Sequence, residues 1–183
     1  MKKLTKMMLT KWHYFEHKII DFEDINFLTG KNSSGKSTLI DALQVVLLGE
    51  TDGTSFNKAA DIKATRSFTS YIVGELGDDI NGGEKSLRGG KEFTTQLVCE
   101  FKDTMNDEYF CIGILVDSYS DMANAKRTFF RLRDRLDESD FIYDNQPRNI
   151  NQFKSWCREK YGKDDKAIKF MDTNNEYRQT ILS

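Results

Sequence analysis

Gly30-Lys31-Asn32-Ser33-Ser34-Gly35-Lys36-Ser37 is the stretch on which the reading of this chain turns, and Thr38-Leu39-Ile40-Asp41-Ala42-Leu43 continues it. Two glycines five apart, with lysine and serine directly after the second, form the Walker A pattern for holding a polyphosphate. Gly30 and Gly35 allow backbone angles, and a closeness of approach, that a Cβ would block. The N–H groups from Asn32 to Thr38 can then converge on phosphate oxygens at the start of a helix, where the dipole favours negative charge. Lys36 is placed to reach the β- and γ-phosphates, and the Ser37 hydroxyl to ligate Mg²⁺. Purine choice is less direct. No Asn-Lys-x-Asp base-reading motif is present, and the nearest stretch, Asn57-Lys58-Ala59-Ala60-Asp61, is one residue too long and lies too early. ATP with Mg²⁺ is the expected ligand.

The flanking sequence suits this reading. Ile25-Asn26-Phe27-Leu28 is short and nearly all apolar, which predicts a buried strand feeding the loop. From Lys36 to Leu48 the apolar residues Leu39, Ile40, Leu43, Val46 and Leu47 recur at helical spacing. Ala42, Val45 and Leu48 fill much of the other side, so the pattern predicts a helix buried almost all round, ending at Gly49. The fold expected is α/β.

Elsewhere, Met7 to Phe15 and Lys18 to Phe22 read as strands. A short helix is expected within 61–74, and 74–90, which holds six of the twelve glycines, reads as a mobile loop. Phe93 to Phe101, Tyr109 to Asp117 and Lys126 to Asp134 follow as three strands that should add an antiparallel layer. Phe153, Trp156 and Cys157 mark an amphipathic helix after Pro147 that ends near Gly162, and Thr173-Asn174-Asn175-Glu176 reads as a capping box.

The 183 residues amount to one domain or a large piece of one, and 38% hydrophobic content is enough for a real core. With 27 basic against 29 acidic residues the net charge is −2, so bulk charge names no nucleic-acid partner. No stretch approaches the ~20 apolar residues that cross a bilayer, and the lysine-rich start is no signal peptide. Cys99, Cys111 and Cys157 sit in apolar runs and read as buried, reduced thiols of a cytoplasmic protein.

Leu9-Thr10-Lys11-Trp12-His13-Tyr14-Phe15, then Phe27-Leu28-Thr29, then the loop and its Leu-Ile-Asp-Ala-Leu helix resemble the amino-terminal lobe of an SMC-like ATPase head of the ABC class. The Trp12-to-Phe15 stretch and Phe56-Asn57-Lys58-Ala59-Ala60 are similar, more narrowly, to the MukB-like JetC subunit of Wadjet plasmid-defence complexes. The resemblance implies two heads that sandwich two ATP molecules in a homodimer, kleisin-like and accessory subunits, and DNA moved by long coiled-coil arms. It carries over Gly30 to Thr38 as the nucleotide site. It also implies that Arg66 belongs to an arginine-bearing loop near the phosphates and that His13 is a basic residue at the nucleotide. The chain is then expected to be a fragment of a longer protein, inactive in hydrolysis on its own.

Departures from that pattern leave other readings open. No LSGG-type signature and no apolar run ending in Asp-Glu occur in these residues. Ile112 to Asp117 mimics a Walker B strand, but Ser118 follows where a catalytic glutamate would stand. A compact P-loop phosphotransferase or NTPase would use Asp117 for its magnesium, whereas the head reading makes Asp117 a strand end. A non-catalytic, nucleotide-dependent assembly module is a third reading. Gln146, in Asn145-Gln146-Pro147, suits an ordinary turn better than a magnesium ligand. Lys126, Arg127, Arg131, Arg133 and Arg135 crowd one strand. They read as a solvated face neutralised by Asp134, Asp137 and Glu138 more readily than as a DNA-backbone contact.

Overall fold

The computed structural model describes residues 1–31, 34–53, 56, 67–78, 84–164 and 166–182. β1 (Lys2–Trp12) and β2 (Phe15–Asp21) form a hairpin, and the 13-residue helix α1 (Lys36–Leu48) follows the glycine-serine loop. α2 (Phe68–Val73) leads into a small hairpin of β3 (Glu75–Asp78) and β4 (Glu84–Ser86). The long strands β5 (Phe93–Asp103), β6 (Glu108–Ser118) and β7 (Lys126–Leu132) come next. α3 (Glu138–Phe141), the short pair β8 (Ile142–Tyr143) and β9 (Gln146–Pro147), α4 (Ile150–Tyr161), β10 (Ile168–Met171) and α5 (Asn174–Leu182) complete the chain.

Six strands form one antiparallel sheet in the order β10-β7-β6-β5-β1-β2. Alternation along the strands sends side chains to two separate cores. On one face Met7, Leu9, Leu97, Cys99, Ile114 and Phe129 pack under α1, α2 and α5. On the other, Met8, Val98, Cys111, Leu115, Phe130 and Leu132 pack under α3 and α4. Residues such as Val98 and Cys99 are fully buried on opposite faces, which is why these strands read as continuous apolar runs. At Gly113 a Cβ would stand 2.4 Å from the Leu97 carbonyl oxygen and 2.8 Å from the Phe130 ring, so this position in β6 admits only glycine.

The antiparallel layer expected from 93 to 134 is present, as are the helix after Pro147 and the one opening near Thr173. Three expectations need correction. Residues 25–28 form no strand; Ile25, Phe27 and Leu28 are 76%, 86% and 48% exposed. A strand requires partners for its backbone groups, and no described strand pairs with this run. α1 is buried on one side only, with Ile40, Leu47 and Leu48 exposed, because the sheet covers one face. The segment 74–90, expected as a loop, carries the β3–β4 hairpin.

Candidate nucleotide-binding loop

The loop enters α1 through Gly35, whose φ of 90° and ψ of 7° place it in the left-handed region. Only glycine holds that conformation without strain, and a Cβ there would also come within 3.3 Å of Phe15 Cζ. No side chain caps α1, and its first turn holds no acidic residue. Helices commonly begin with Ser, Thr, Asp or Asn at that point, whose side chain accepts from a first-turn amide. The first amides of α1 are thus left for an acceptor from outside the helix, at the end where the dipole favours an anion.

Lys36 does not extend into solvent, as a lysine awaiting phosphate would be expected to do. Its Nζ donates to the carbonyl oxygens of Gly30 (2.6 Å) and Lys31 (2.7 Å) and to Ser34 Oγ (3.3 Å). These bonds hold an ammonium inside the loop that phosphate oxygens would otherwise face. Ser34 N donates to the Lys31 carbonyl at 3.3 Å, so the described part of the loop turns back on itself. Ser37 is half-buried in the first turn of α1, and Thr38 is buried beside it.

The β1–β2 turn anchors the same region. Trp12, fully buried, donates from Nε1 to the Thr38 carbonyl at 3.0 Å, and its ring stacks on Tyr71 with centroids 4.8 Å apart. Tyr71 in turn donates its hydroxyl to the buried carboxylate of Asp41 on α1. A hairpin end, α1 and α2 are thereby tied together directly behind the loop. His13 lies in this turn with φ 48°, its Nε2 paired with the Glu75 carbonyl at 3.1 Å and its ring edge-on to Tyr14 at 4.0 Å. Tyr14 is 53% exposed and precedes Phe15, the ring packed nearest Gly35.

Residues 4–63 match the family model of the P-loop containing region of AAA domain. That match supports a P-loop NTPase, with nucleotide and Mg²⁺ as its general ligands. It spans β1, β2, the loop and α1, the elements just described as one packed unit. No curated protein matches the chain. Among the predicted site residues, Gly30, Lys31, Ser34, Gly35, Lys36, Ser37 and Thr38 lie together in the loop and the first turn of α1, and His13 lies in the turn behind it. Asn32, Ser33 and Arg66 lie outside the described residues.

Asp117 belongs elsewhere. Val116, Ile114 and Ile112 of β6 face α1, so Asp117 points to the opposite face of the sheet. There it accepts from Thr94 Oγ1 at 2.8 Å and from the Ile150 N–H at 3.2 Å, the first amide of α4. Burial raises its pKa, against the lowering effect of those two bonds and of Lys126. A carboxylate spent on capping α4 on the far side of the sheet does not reach a magnesium at Ser37. Gln146 pairs with Tyr143 in the β8–β9 hairpin and borders the same cavity of about 530 Å³ as Asp117 and Asn149. No group of three or more His, Cys, Asp or Glu side chains able to hold a metal occurs among the described residues.

No described helix is long and apolar enough to cross a membrane. The three cysteines are buried free thiols, as their apolar surroundings predict.

Proposed function

We propose that this chain is the ATP-binding lobe of an SMC-like ATPase that acts on DNA, of the kind serving plasmid defence or DNA maintenance. The observation that carries the nucleotide part is the uncapped, acid-free amino terminus of α1 entered through a left-handed Gly35, with Lys36 folded over the loop. In this reading the loop amides and Lys36 hold the β- and γ-phosphates and Ser37 holds Mg²⁺. Tyr14, exposed at the apex of the neighbouring turn, offers a ring face to the purine. The bound nucleotide and metal supply a phosphoryl centre for in-line attack by water. Hydrolysis further needs a carboxylate to position that water and donors on the γ-phosphate from an opposed surface. With Asp117 committed to α4 and Asp41 to Tyr71, this reading assigns the water-positioning carboxylate to a second surface, as in paired heads. That reading also includes a homodimer through the nucleotide and kleisin-like accessory subunits.

Calorimetric titration with Mg·ATP tests the site. The wild-type chain should bind ATP, and Lys36→Ala should weaken it at least about tenfold, the loss of one charge-assisted phosphate contact. Circular dichroism should show an unchanged fold, because the bonds lost are confined to the loop. Equal affinity in wild type and variant would sink the assignment. Mg²⁺-dependent phosphate release by the chain alone, lost in Asp117→Ala, would instead favour the compact enzyme.

A further inference from the structure

Five basic residues between 126 and 135 read in sequence as one cluster, but the fold divides them. Lys126 lies beside Asp117, and Arg127 donates to Thr51 Oγ1 at 2.6 Å at one end of β7. Arg135 crosses to the α4 side, over the Tyr109 ring at 4.3 Å and 3.9 Å from the buried Glu100 carboxylate. Arg131, the last residue but one of β7, shares the α1 face of the sheet with Phe129, and Arg133, just past the end of that strand, lies near enough for its charge to act on Arg131.

The acids expected to neutralise this pair are all engaged elsewhere. Asp134 accepts from Tyr161 and lies near Lys160, Asp137 caps α3, and Glu138 pairs with His17. Among the described residues neither Arg131 nor Arg133 has an ion-pair partner. Burial, and then the field of the neighbouring Arg133, lower the pKa of Arg131. Arg131 lies 5.6 Å above the Phe110 ring, and Lys2 approaches the same ring at 5.7 Å. Phe110 is itself stacked on Phe101 at 5.3 Å, which gives the cations a rigid apolar base. Lys169 stands directly across from Arg131 in β10. The nearby acids are few and placed at the margins: Asp103 opposite Lys2, Glu176 3.8 Å from Lys169, and Glu108 at the strand end.

We propose that Arg131 and Lys2, set over the Phe110 ring, together with the neighbouring exposed Arg133, form a contact surface for the phosphodiester backbone of a nucleic acid. Two residues of chain span at most about 7 Å, so guanidiniums two positions apart at the end of β7 can meet successive phosphates of one nucleic-acid strand. With the Phe110 ring already engaged by cations and by Phe101, the surface offers charge and N–H donors rather than a platform for bases. Binding is therefore independent of sequence and set by counterion release. The choice of DNA rests on the functional reading above; the surface itself is independent of the P-loop.

Fluorescence anisotropy with a labelled, mixed-sequence DNA duplex over a range of salt concentrations tests this, with Mg·ATP binding measured on the same preparations. Arg131→Gln/Arg133→Gln should weaken binding roughly tenfold at low salt and reduce the slope of log K against log salt by about two. The exposed single variant Arg133→Gln should reduce it by about one, and Lys91→Gln, an exposed lysine just before β5 at the opposite end of the sheet, should change nothing. No duplex binding by the wild type, unchanged affinity in both arginine variants, or preference for phosphatidylserine vesicles over the duplex overturns the inference. A chain that binds ATP but ignores DNA loses this surface alone, whereas one that binds DNA through these arginines but not ATP loses only the loop assignment.

Discussion

Asp117 shows how one residue's meaning depends on which way a strand turns it. In the sequence it ends an apolar run and resembles a magnesium ligand; in the fold its carboxylate joins Thr94 of β5 to the first amide of α4. Burial raises its pKa above the ordinary 3.8. The folded chain therefore binds this proton more tightly than the unfolded chain. Stability should fall as pH rises from the unfolded value through the raised folded value, and level off above it. Asp117→Asn has no proton to bind there but keeps an oxygen for Thr94 and Ile150. Urea denaturation at a series of pH values should show wild-type stability declining relative to Asp117→Asn across that window. A difference that rises with pH, or stays flat, would show that hydrogen bonding outweighs burial at this carboxyl.

At the scale of elements, α1 has no basic residue in its last turn, and α5 supplies what is missing. Tyr177, fully buried and stacked on Phe129 at 4.4 Å, donates its hydroxyl to the Val46 carbonyl at 2.7 Å. Arg178 donates to the Leu48 and Gly49 carbonyls, and Asn174 Nδ2 to Gly49 at 2.7 Å. A helix from far along the chain thus caps the carboxyl end of the helix whose amino end forms the candidate site. Tyr177→Phe keeps the packing and strands one buried carbonyl, so it should cost about 1–2 kcal/mol. Arg178→Ala, at a more exposed side chain, should cost less. Urea midpoints measured at constant m-value check both. A Tyr177→Phe variant as stable as wild type would mean that the ring alone docks α5.

For the whole molecule, the two-faced sheet keeps every thiol away from solvent. Burial raises the pKa of Cys99 and Cys111 far above the ordinary thiol value, and that of Cys157 to about 12. Protonated, inaccessible thiols react only when the structure opens. Ellman's reagent at mild alkaline pH should leave all three unmodified in the native chain and titrate three in denaturant. A rapid native reaction would place a cysteine outside the core.

Local sequence determined the elements whose signals are short in range. The loop, the bounds of α1, the strands of the 93–134 layer and the helix ending at Gly162 follow from glycine placement, apolar periodicity and capping residues within a few positions of each other. The Walker pattern likewise places its lysine and serine at a helix start with no knowledge of the rest of the fold. Tertiary structure alone decided what each apolar or charged residue meets. Phe27 reads as buried but lies open because a strand's burial requires a neighbour, which no local pattern encodes. The five basic residues from 126 to 135 look alike in sequence. Among the described residues, strand alternation and the prior engagement of Asp134, Asp137 and Glu138 leave Arg131 and Arg133 without an acidic partner. Pairing depends on chain segments many residues apart, and so becomes visible only when the sheet brings them together.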